Sequence, residues 1–317
     1  MKLLFIQLGR IGDMVLLTPL FKAVKEKFPD VEINVIASRR NYSVIQNNPH
    51  LNNIIVYEKT PLKFINTIRE IRKTFYNYYI DPKDHYSRES RLFSKIVKAE
   101  KKIGFNGDEY KSFDISIPSD KENVDLHCTQ RFFNSLKPLS ISIELKIPNP
   151  ELYTYKESDD YVQYYLHANN LQSVNLVNIS ATKSGRMFSS LKWIEILQNY
   201  DSFKNIVLLF APTENNQAKV LKTALPFLNL FPSRSIHDVI SIVKIAKAII
   251  TVDTALVHIA SAFNLPIVCF FINNEEQIKK YYPLSDIAYV IKSSTPNSDI
   301  ETISNNVIKN ILNEFLK

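Results

Sequence analysis

The chain has 317 residues, of which 45% are hydrophobic, 22% charged and 11% aromatic. This ordinary globular composition excludes disorder, and the length suits two domains. No run of 18 apolar residues marks a membrane-spanning helix, and two cysteines, Cys128 and Cys269, do not make a disulfide framework or a cysteine-rich metal site. The apolar opening is too short for a signal peptide, so the expectation is a soluble protein of a reducing compartment. The net charge is +7, and the segment 59–102, with 12 Lys/Arg against 5 Asp/Glu, accounts for all of it. A basic surface concentrated in one segment points to an anionic partner: nucleic acid, anionic lipid or a phosphorylated substrate.

Leu3–Leu8 is an apolar run that ends at a glycine-containing loop and reads as a buried parallel strand. Met14–Phe28 has helical periodicity, with Pro19 near its start and Pro29 beyond its end. Val31–Ala37 reads as a strand, Tyr42–Gln46 as a short helix and Ile54–Tyr57 as a strand. Leu62–Phe75 reads as a helix with Lys63, Arg69, Arg72 and Lys73 outside, then Tyr76–Ile80 as a strand. Arg88–Lys98 and Val124–Leu136 read as helices. The stretch 137–155 holds Pro138, Pro148 and Pro150 without a clear period and reads as an interdomain connection.

A second series follows. Asp159–Asn169, Asn216–Ala224, Ile236–Lys244, Ala255–Phe263 and Ile303–Phe315 read as helices. Leu176–Ile179, Ile206–Phe210, Ala248–Val252 and Pro266–Phe271 read as strands. The fold class is therefore α/β, with two Rossmann-like domains of parallel strands, 1–155 and 156–317, facing a central cleft.

Four strand-to-helix turns carry candidate chemistry, because ligands of open α/β sheets bind at the carboxyl ends of strands. The first is Gln7–Asp13, where Asp13 either caps the helix or faces a ligand. The second is Asn178–Arg186, whose hydroxyls, glycine and cations suit a phosphate or form a solvated polar loop; Lys192 and Trp193 follow. The third is Ile249–His258, where Asp253 or Thr254 caps a helix whose N-terminus suits a phosphate, and His258 lies one turn further. The fourth is Phe210–Glu214, where Glu214 either caps or accepts hydrogen bonds from a ribose. Glycine occurs only five times. Gly9, Gly12 and Gly185 fall in these turns and are expected to need a positive φ or a close backbone approach. The abundance of Asn, Ile, Lys and Tyr reads as a compositional bias.

The opening LLFIQLGRIGDMVLLTPLFKAVKEKFPDVEINVIAS resembles the start of glycosyltransferase family 9, the ADP-heptose:lipopolysaccharide heptosyltransferases. ITVDTALVHIASAFNLPIVCFF resembles the family's strand–Asp-Thr-Gly–x–x-His–helix–Pro–strand signature, SLKW its approach to a Trp-Pro pair, and APTEN its strand–turn–Glu. The resemblance implies a GT-B fold, with the acceptor in the N-terminal domain, the donor in the C-terminal one, and a terminal helix packing back across the domains. It implies an inverting transfer without metal or cofactor, which suits the lack of a D-x-D pair. Asp13 would be the general base. Gly12, Ser180, Thr182, Lys183, Arg186, Lys192, Glu214, Asp253, Thr254, Ala255 and His258 would bind the nucleotide-sugar donor, ADP-heptose. The chain departs from the family pattern at Ala255, where the family has Gly, and at Trp193, which Ile194 rather than Pro follows.

Arg10, Lys59, Lys63, Arg88 and Arg91 would bind the acceptor, a phosphorylated, Kdo-bearing lipid A-core glycolipid. The basic segment would also touch an anionic membrane surface. The expected location is the cytoplasm, at the cytoplasmic face of the inner membrane. The alternatives are a family-9 transferase with another nucleotide sugar and a non-catalytic sugar-nucleotide-binding relative. No nucleic-acid motif supports a nucleic-acid partner.

Overall fold

The computed structural model describes residues 1–107, 111–143, 145–198 and 205–315. The chain divides into two compact units, Met1–Leu152 and Tyr153–Lys317. The division lies three residues before the 155/156 boundary read from the sequence.

The first unit contains β1 (Lys2–Gln7), α1 (Ile11–Lys27), β2 (Glu32–Ser38), β3 (Asn53–Tyr57), α2 (Pro61–Arg72), β4 (Tyr76–Ile80), α3 (Arg88–Ile96), β5 (Ala99–Gly104), β6 (Ile115–Ser116) and α4 (Cys128–Phe133). Its strands form one parallel sheet in the order β3-β2-β1-β4-β5-β6. β1 is central and buried from Leu3 to Gln7, as its predominantly apolar run requires. Alternate side chains serve opposite faces. Leu4 and Ile6 join Ile71 and Phe93 in one cluster, while the Phe5 ring meets Phe21 of α1 edge-on at 5.4 Å.

Helix α1 carries Pro19 in its interior, where proline leaves the carbonyl four residues back without its N–H donor. The Thr18 hydroxyl supplies that donor, reaching Val15 O at 2.7 Å. The same oxygen accepts from the Glu151 N–H at 2.8 Å. Thr18 is fully buried, so the Thr-Pro pair closes its own defect and anchors the end of the unit.

The second unit contains α5 (Lys156–Ala168), β7 (Asn175–Asn178), α6 (Ser190–Leu197), β8 (Ile206–Leu209), α7 (Asn215–Ala224), β9 (Asn229–Leu230), α8 (Ile236–Ile245), β10 (Ala248–Val252), α9 (Ala255–Ala262), β11 (Ile267–Phe271), α10 (Glu275–Tyr281), β12 (Ala288–Lys292) and α11 (Asn305–Phe315). The parallel sheet runs β12-β11-β10-β7-β8-β9. Both sheets thus share one topology, with the strand order reversing between the first and fourth strands of each unit. Trp193 is a core anchor, fully buried and edge-on to Phe188 and Phe270. Helix α11 buries Ile308 and Leu312 in this unit's core.

Several elements differ from the sequence reading. The helix expected over 124–136 is α4 followed by a 3-10 helix over Asn134–Leu139, because Pro138 does not continue α-helical bonding. Tyr42–Ile45 is likewise 3-10. No glycine has a positive φ. Among the described residues the left-handed positions belong to Ser140, Asn170, Asn205, Asn264 and Asn297. Asparagine tolerates that region better than other non-glycine residues. Ser140 ends the 3-10 helix over Asn134–Leu139, and two of the asparagines end α-helices. After α5, the Asn170 N–H reaches His167 O and the Leu171 N–H reaches Leu166 O. After α9, the Asn264 and Leu265 N–H groups reach Ser261 O and Ala260 O. Both are Schellman motifs with Asn in the usual glycine place.

Candidate active site

In the first unit the turn after β1 enters α1 through Arg10, which occupies the N-cap, so Asp13 is the third helical residue rather than the cap. Asp13 Oδ2 accepts the Arg10 N–H at 3.0 Å, the back-reaching half of a capping box. The residue is half-buried. Among the described residues this is its one hydrogen bond, and Oδ1 is uncommitted. Gly9 lies in close approach to two side chains. A Cβ there would stand 2.6 Å from Asp13 Oδ2 and 2.8 Å from Gln7 Oε1.

The sequence reading passed over Asn41, which holds this turn. Its buried side-chain amide donates to Gln7 O at 3.0 Å and Gly9 O at 3.1 Å and accepts from the Ser38 N–H. One side chain therefore ties the ends of β1 and β2. A buried amide with all its bonds made gives a rigid joint.

Beside this turn lies a cavity of about 450 Å³ at the carboxyl ends of the first unit's strands. Leu8, Arg39, Arg40, Tyr57, Lys59 and Lys83 are among its lining residues, with Glu58, Ser87 and Glu89. Hydrogen bonds from Lys63 and Arg39 hold the Glu58 carboxyl below its usual range. Lys59 does the same for Glu89, to which it donates at 2.8 Å. Arg40 and Lys83 have no ion-pair partner among the described residues. Asp81, after β4, is buried and accepts from the Lys83 N–H at 3.1 Å. Burial raises its pKa against the pull of Ser90 and Lys83.

The other residues expected at the acceptor are dispersed. Lys59 lines the cavity, and Lys63 pairs with Glu58, which also lines it. Arg91 bonds Ser112 Oγ and Tyr86 Oη and lies over the Tyr86 ring. Arg10 and Arg88 are exposed.

In the second unit three strand ends are bonded into one group. Asn178, at the end of β7, donates to Thr251 Oγ1 of β10 at 3.0 Å and to Ser180 O at 3.1 Å. Ser180 Oγ accepts the Ala211 N–H at 2.7 Å and donates to Glu214 Oε2 at 2.8 Å. Glu214 therefore does not cap α7 with its side chain; its carboxylate is held across the β7 and β8 turns. Arg186 Nη1 meets Asp253 Oδ2 at 2.6 Å, with only 14% and 9% of the two side chains exposed. Arg186 Nε is buried and finds no hydrogen-bond partner among the described residues. Thr254 caps α9, its side chain accepting the Leu256 N–H.

Ala255 is the first residue of α9, an ordinary helical position that needs no glycine. His258 is buried with its ring 5.9 Å from that of Tyr281. Thr182 and Lys183 are exposed. Lys192 is turned elsewhere, donating through Nζ to Ile303 O at 2.7 Å. Gly185 is again a close approach, since a Cβ would collide with the Asp299 carboxylate. Gly12 lies in the first turn of α1.

The chemistry of the group is that of an anion and polyol site: a buried guanidinium with a spare donor, a helix N-terminus and a positioned carboxylate. Among the described residues, no group of three or more His, Cys, Asp or Glu side chains stands in metal-binding geometry. No described helix is long and apolar enough to cross a membrane.

Residues 64–308 match the profile of glycosyltransferase family 9 (heptosyltransferase). Lipopolysaccharide heptosyltransferase 3 of Escherichia coli is 22% identical over 282 residues, covering 82% of this chain and 80% of that protein. A family-9 glycosyltransferase from Veillonella parvula superimposes with a TM-score of 0.86 at 14% identity, over 99% of this chain and 97% of that one. The E. coli ADP-heptose lipopolysaccharide heptosyltransferase II does so with a TM-score of 0.79 at 20% identity, over 100% and 99%. The two Rossmann-like units are thus those of a GT-B fold, and the chain belongs to glycosyltransferase family 9.

Proposed function

We propose that the protein moves a heptose from ADP-heptose to the core region of lipopolysaccharide or lipooligosaccharide, with inversion and without a metal ion. The observation that carries the donor reading is Arg186, a cation only 14% exposed whose buried Nε is an unused donor beside the start of α9. A buried unpaired donor is costly, and a diphosphate satisfies it. Asp253 orients the guanidinium, and the α9 N-terminus adds partial positive charge. The Arg186 geometry favours it over Lys192 as the diphosphate's cation. Glu214, held on one oxygen by Ser180, keeps the other for ribose hydroxyls. The relatives named for ADP-heptose and lipopolysaccharide support the choice of donor and acceptor.

The reaction is a single displacement. The acceptor oxygen attacks the anomeric carbon, its proton passes to Asp13, and the bond from that carbon to the diphosphate oxygen breaks. Arg186, Thr182, Lys183, Thr254 and the Ala255 N–H stabilise the charge growing on the departing ADP, with His258 behind them. The cavity of the first unit receives the acidic acceptor through Arg40, Lys59 and Lys83. The proposed location is the cytoplasm, at the membrane that carries the glycolipid.

The test is transfer in excess chelator, with ADP-heptose compared against UDP and GDP sugars and the product's anomeric configuration read by NMR. The expected result is transfer from ADP-heptose alone, with inversion. Transfer only from another nucleotide sugar, or with retention, overturns the reading.

A further inference from the structure

We propose that Asn41 is a positioning residue for the transfer, orienting the Asp13 carboxylate through the Gly9–Arg10 peptide; the proposal rests on the reading of Asp13 as the general base. One planar trans peptide unit stands between the two side chains. Its carbonyl, Gly9 O, accepts from Asn41 Nδ2 at 3.1 Å. Its N–H, that of Arg10, donates to Asp13 Oδ2 at 3.0 Å. Asn41 Nδ2 also reaches Gln7 O at 3.0 Å, and the Gln7 side chain accepts the Gly9 N–H at 2.9 Å. Gly9 is therefore held on both sides, by Gln7 through its N–H and by Asn41 through its carbonyl.

A peptide plane turns as a unit, so fixing its oxygen fixes the direction of its N–H. A hydrogen bond at the carbonyl also polarises the amide and strengthens the donor at its other end. Both effects act on Asp13 Oδ2 and leave Oδ1 for the acceptor's proton. Asn41 does not rely on solvent for its own geometry. It is fully buried, and its Oδ1 accepts the Ser38 N–H at 2.9 Å. Ser38, Arg39 and Arg40 line the 450 Å³ cavity proposed for the acceptor, and Asn41 follows them directly. The segment 38–41 thus both lines the acceptor's cavity and orients the base. That shared origin fixes the register between the incoming oxygen and the carboxylate.

The experiment is a double-mutant cycle on kcat, with saturating ADP-heptose and lipid A-core acceptor, run beside equilibrium unfolding and amide NMR of the full chain. Asn41→Ala is expected to lower kcat at least about tenfold, since misplacing a reacting group by ~1 Å costs up to about a hundredfold. The acceptor KM and the thermal shift given by ADP stay as in the wild type, the split that marks a group acting only in the transition state. In the Asp13→Asn background, Asn41→Ala lowers kcat no further, although it still lowers stability. The Arg10 amide proton moves upfield in Asn41→Ala, a change read without any substrate. Asn34→Ala removes another buried amide side chain from β2 and lowers stability with kcat unchanged. Should Asn41→Ala fail to fold, the milder Asn41→Ser gives the same changes in the same directions. The proposal is overturned by wild-type kcat in the Asn41 variant, by an equal loss in both Asp13 backgrounds, or by an unmoved Arg10 amide. Full activity in Asn41→Ala beside an inactive Asp13→Asn overturns it alone. Near-wild-type turnover in Asp13→Asn overturns the base reading, and the proposal with it.

Discussion

Arg186 Nη1 and Asp253 Oδ2 stand 2.6 Å apart, joining the loop after β7 to the end of β10 in a pair almost closed to solvent. The pair has a structural and a functional share, which mutation separates. Arg186→Ala takes the ion-pair partner from a largely buried carboxylate and lowers stability. Adding Asp253→Ala restores part of that loss, because the carboxylate that lost the guanidinium is removed with it. ADP affinity behaves differently. It falls at least about tenfold in Arg186→Ala and stays low in the double variant. Urea titration and calorimetry together read both. Recovery of ADP affinity in the double variant would show that the guanidinium serves only its partner.

Asp13→Asn keeps an oxygen for the Arg10 N–H and so keeps the turn. It is expected to lower kcat about a hundredfold or more with the ADP thermal shift unchanged. Gly9→Ala reaches the same carboxylate by another route, since the new methyl group takes space within 2.6 Å of Oδ2. Its kcat also falls, and its melting temperature falls with it. Turnover near that of the wild type in Asp13→Asn removes Asp13 as the base.

Thr18 and Pro19 are coupled. Thr18→Val leaves Val15 O and the Glu151 N–H without their hydroxyl partner and costs about 2–3 kcal/mol. Pro19→Ala returns a backbone N–H to Val15 O. In that background Thr18→Val costs about 1 kcal/mol less. A double-mutant cycle on equilibrium unfolding measures the difference, and strict additivity contradicts the compensation.

Acid stability depends on Asp238, which is fully buried and gripped by Arg234 through two side-chain bonds of 2.8 and 2.9 Å. Burial alone raises its pKa, but the hydrogen bonds from Arg234 and Ser158 outweigh burial and the net shift is downward from 3.8. A carboxyl with a lowered folded pKa stabilises the fold above its unfolded value, and the gain is lost as pH falls through the folded one. Stability therefore drops as pH falls below 3.8. Asp238→Asn is less stable at neutral pH and shows a flatter acid limb. An unchanged acid limb in Asp238→Asn places the titration elsewhere.

Most of the topology was legible because central parallel strands announce themselves: 3–8, 206–210 and 248–252 are apolar runs interrupted only by Gln7 and Thr251. Outer strands of polar sequence do not. β5, between β4 and the two-residue β6, reads Ala-Glu-Lys-Lys-Ile-Gly, and its Glu100 and Lys101 are exposed, so its sequence looks like surface and only its pairing makes it a strand. β12 lies at the edge of its sheet, and α6 was read only as a motif. The site was legible as positions but not as partnerships. The turns carrying Asp13, Ser180, Glu214 and Asp253 were all found from strand ends. That Lys192 faces Ile303 while Arg186 faces Asp253 depends on side-chain direction, which spacing along the chain does not report. Asn41 was invisible for a related reason, since its role is a bond between strands adjacent in space.

The left-handed asparagines make handed turns independent of the glycine supply, and they divide into two kinds. At Asn170 the side chain makes no hydrogen bond among the described residues, so it is interchangeable with glycine, and the residue there is free to drift with the composition of the genome. At Asn264 the amide has acquired a second task, bonding the Asp286 carboxylate and backbone N–H at 2.8 Å each. Glycine would satisfy the turn there and release the loop. Asn264 thus serves the turn through its backbone and the loop through its side chain, and glycine could replace it in the first task alone.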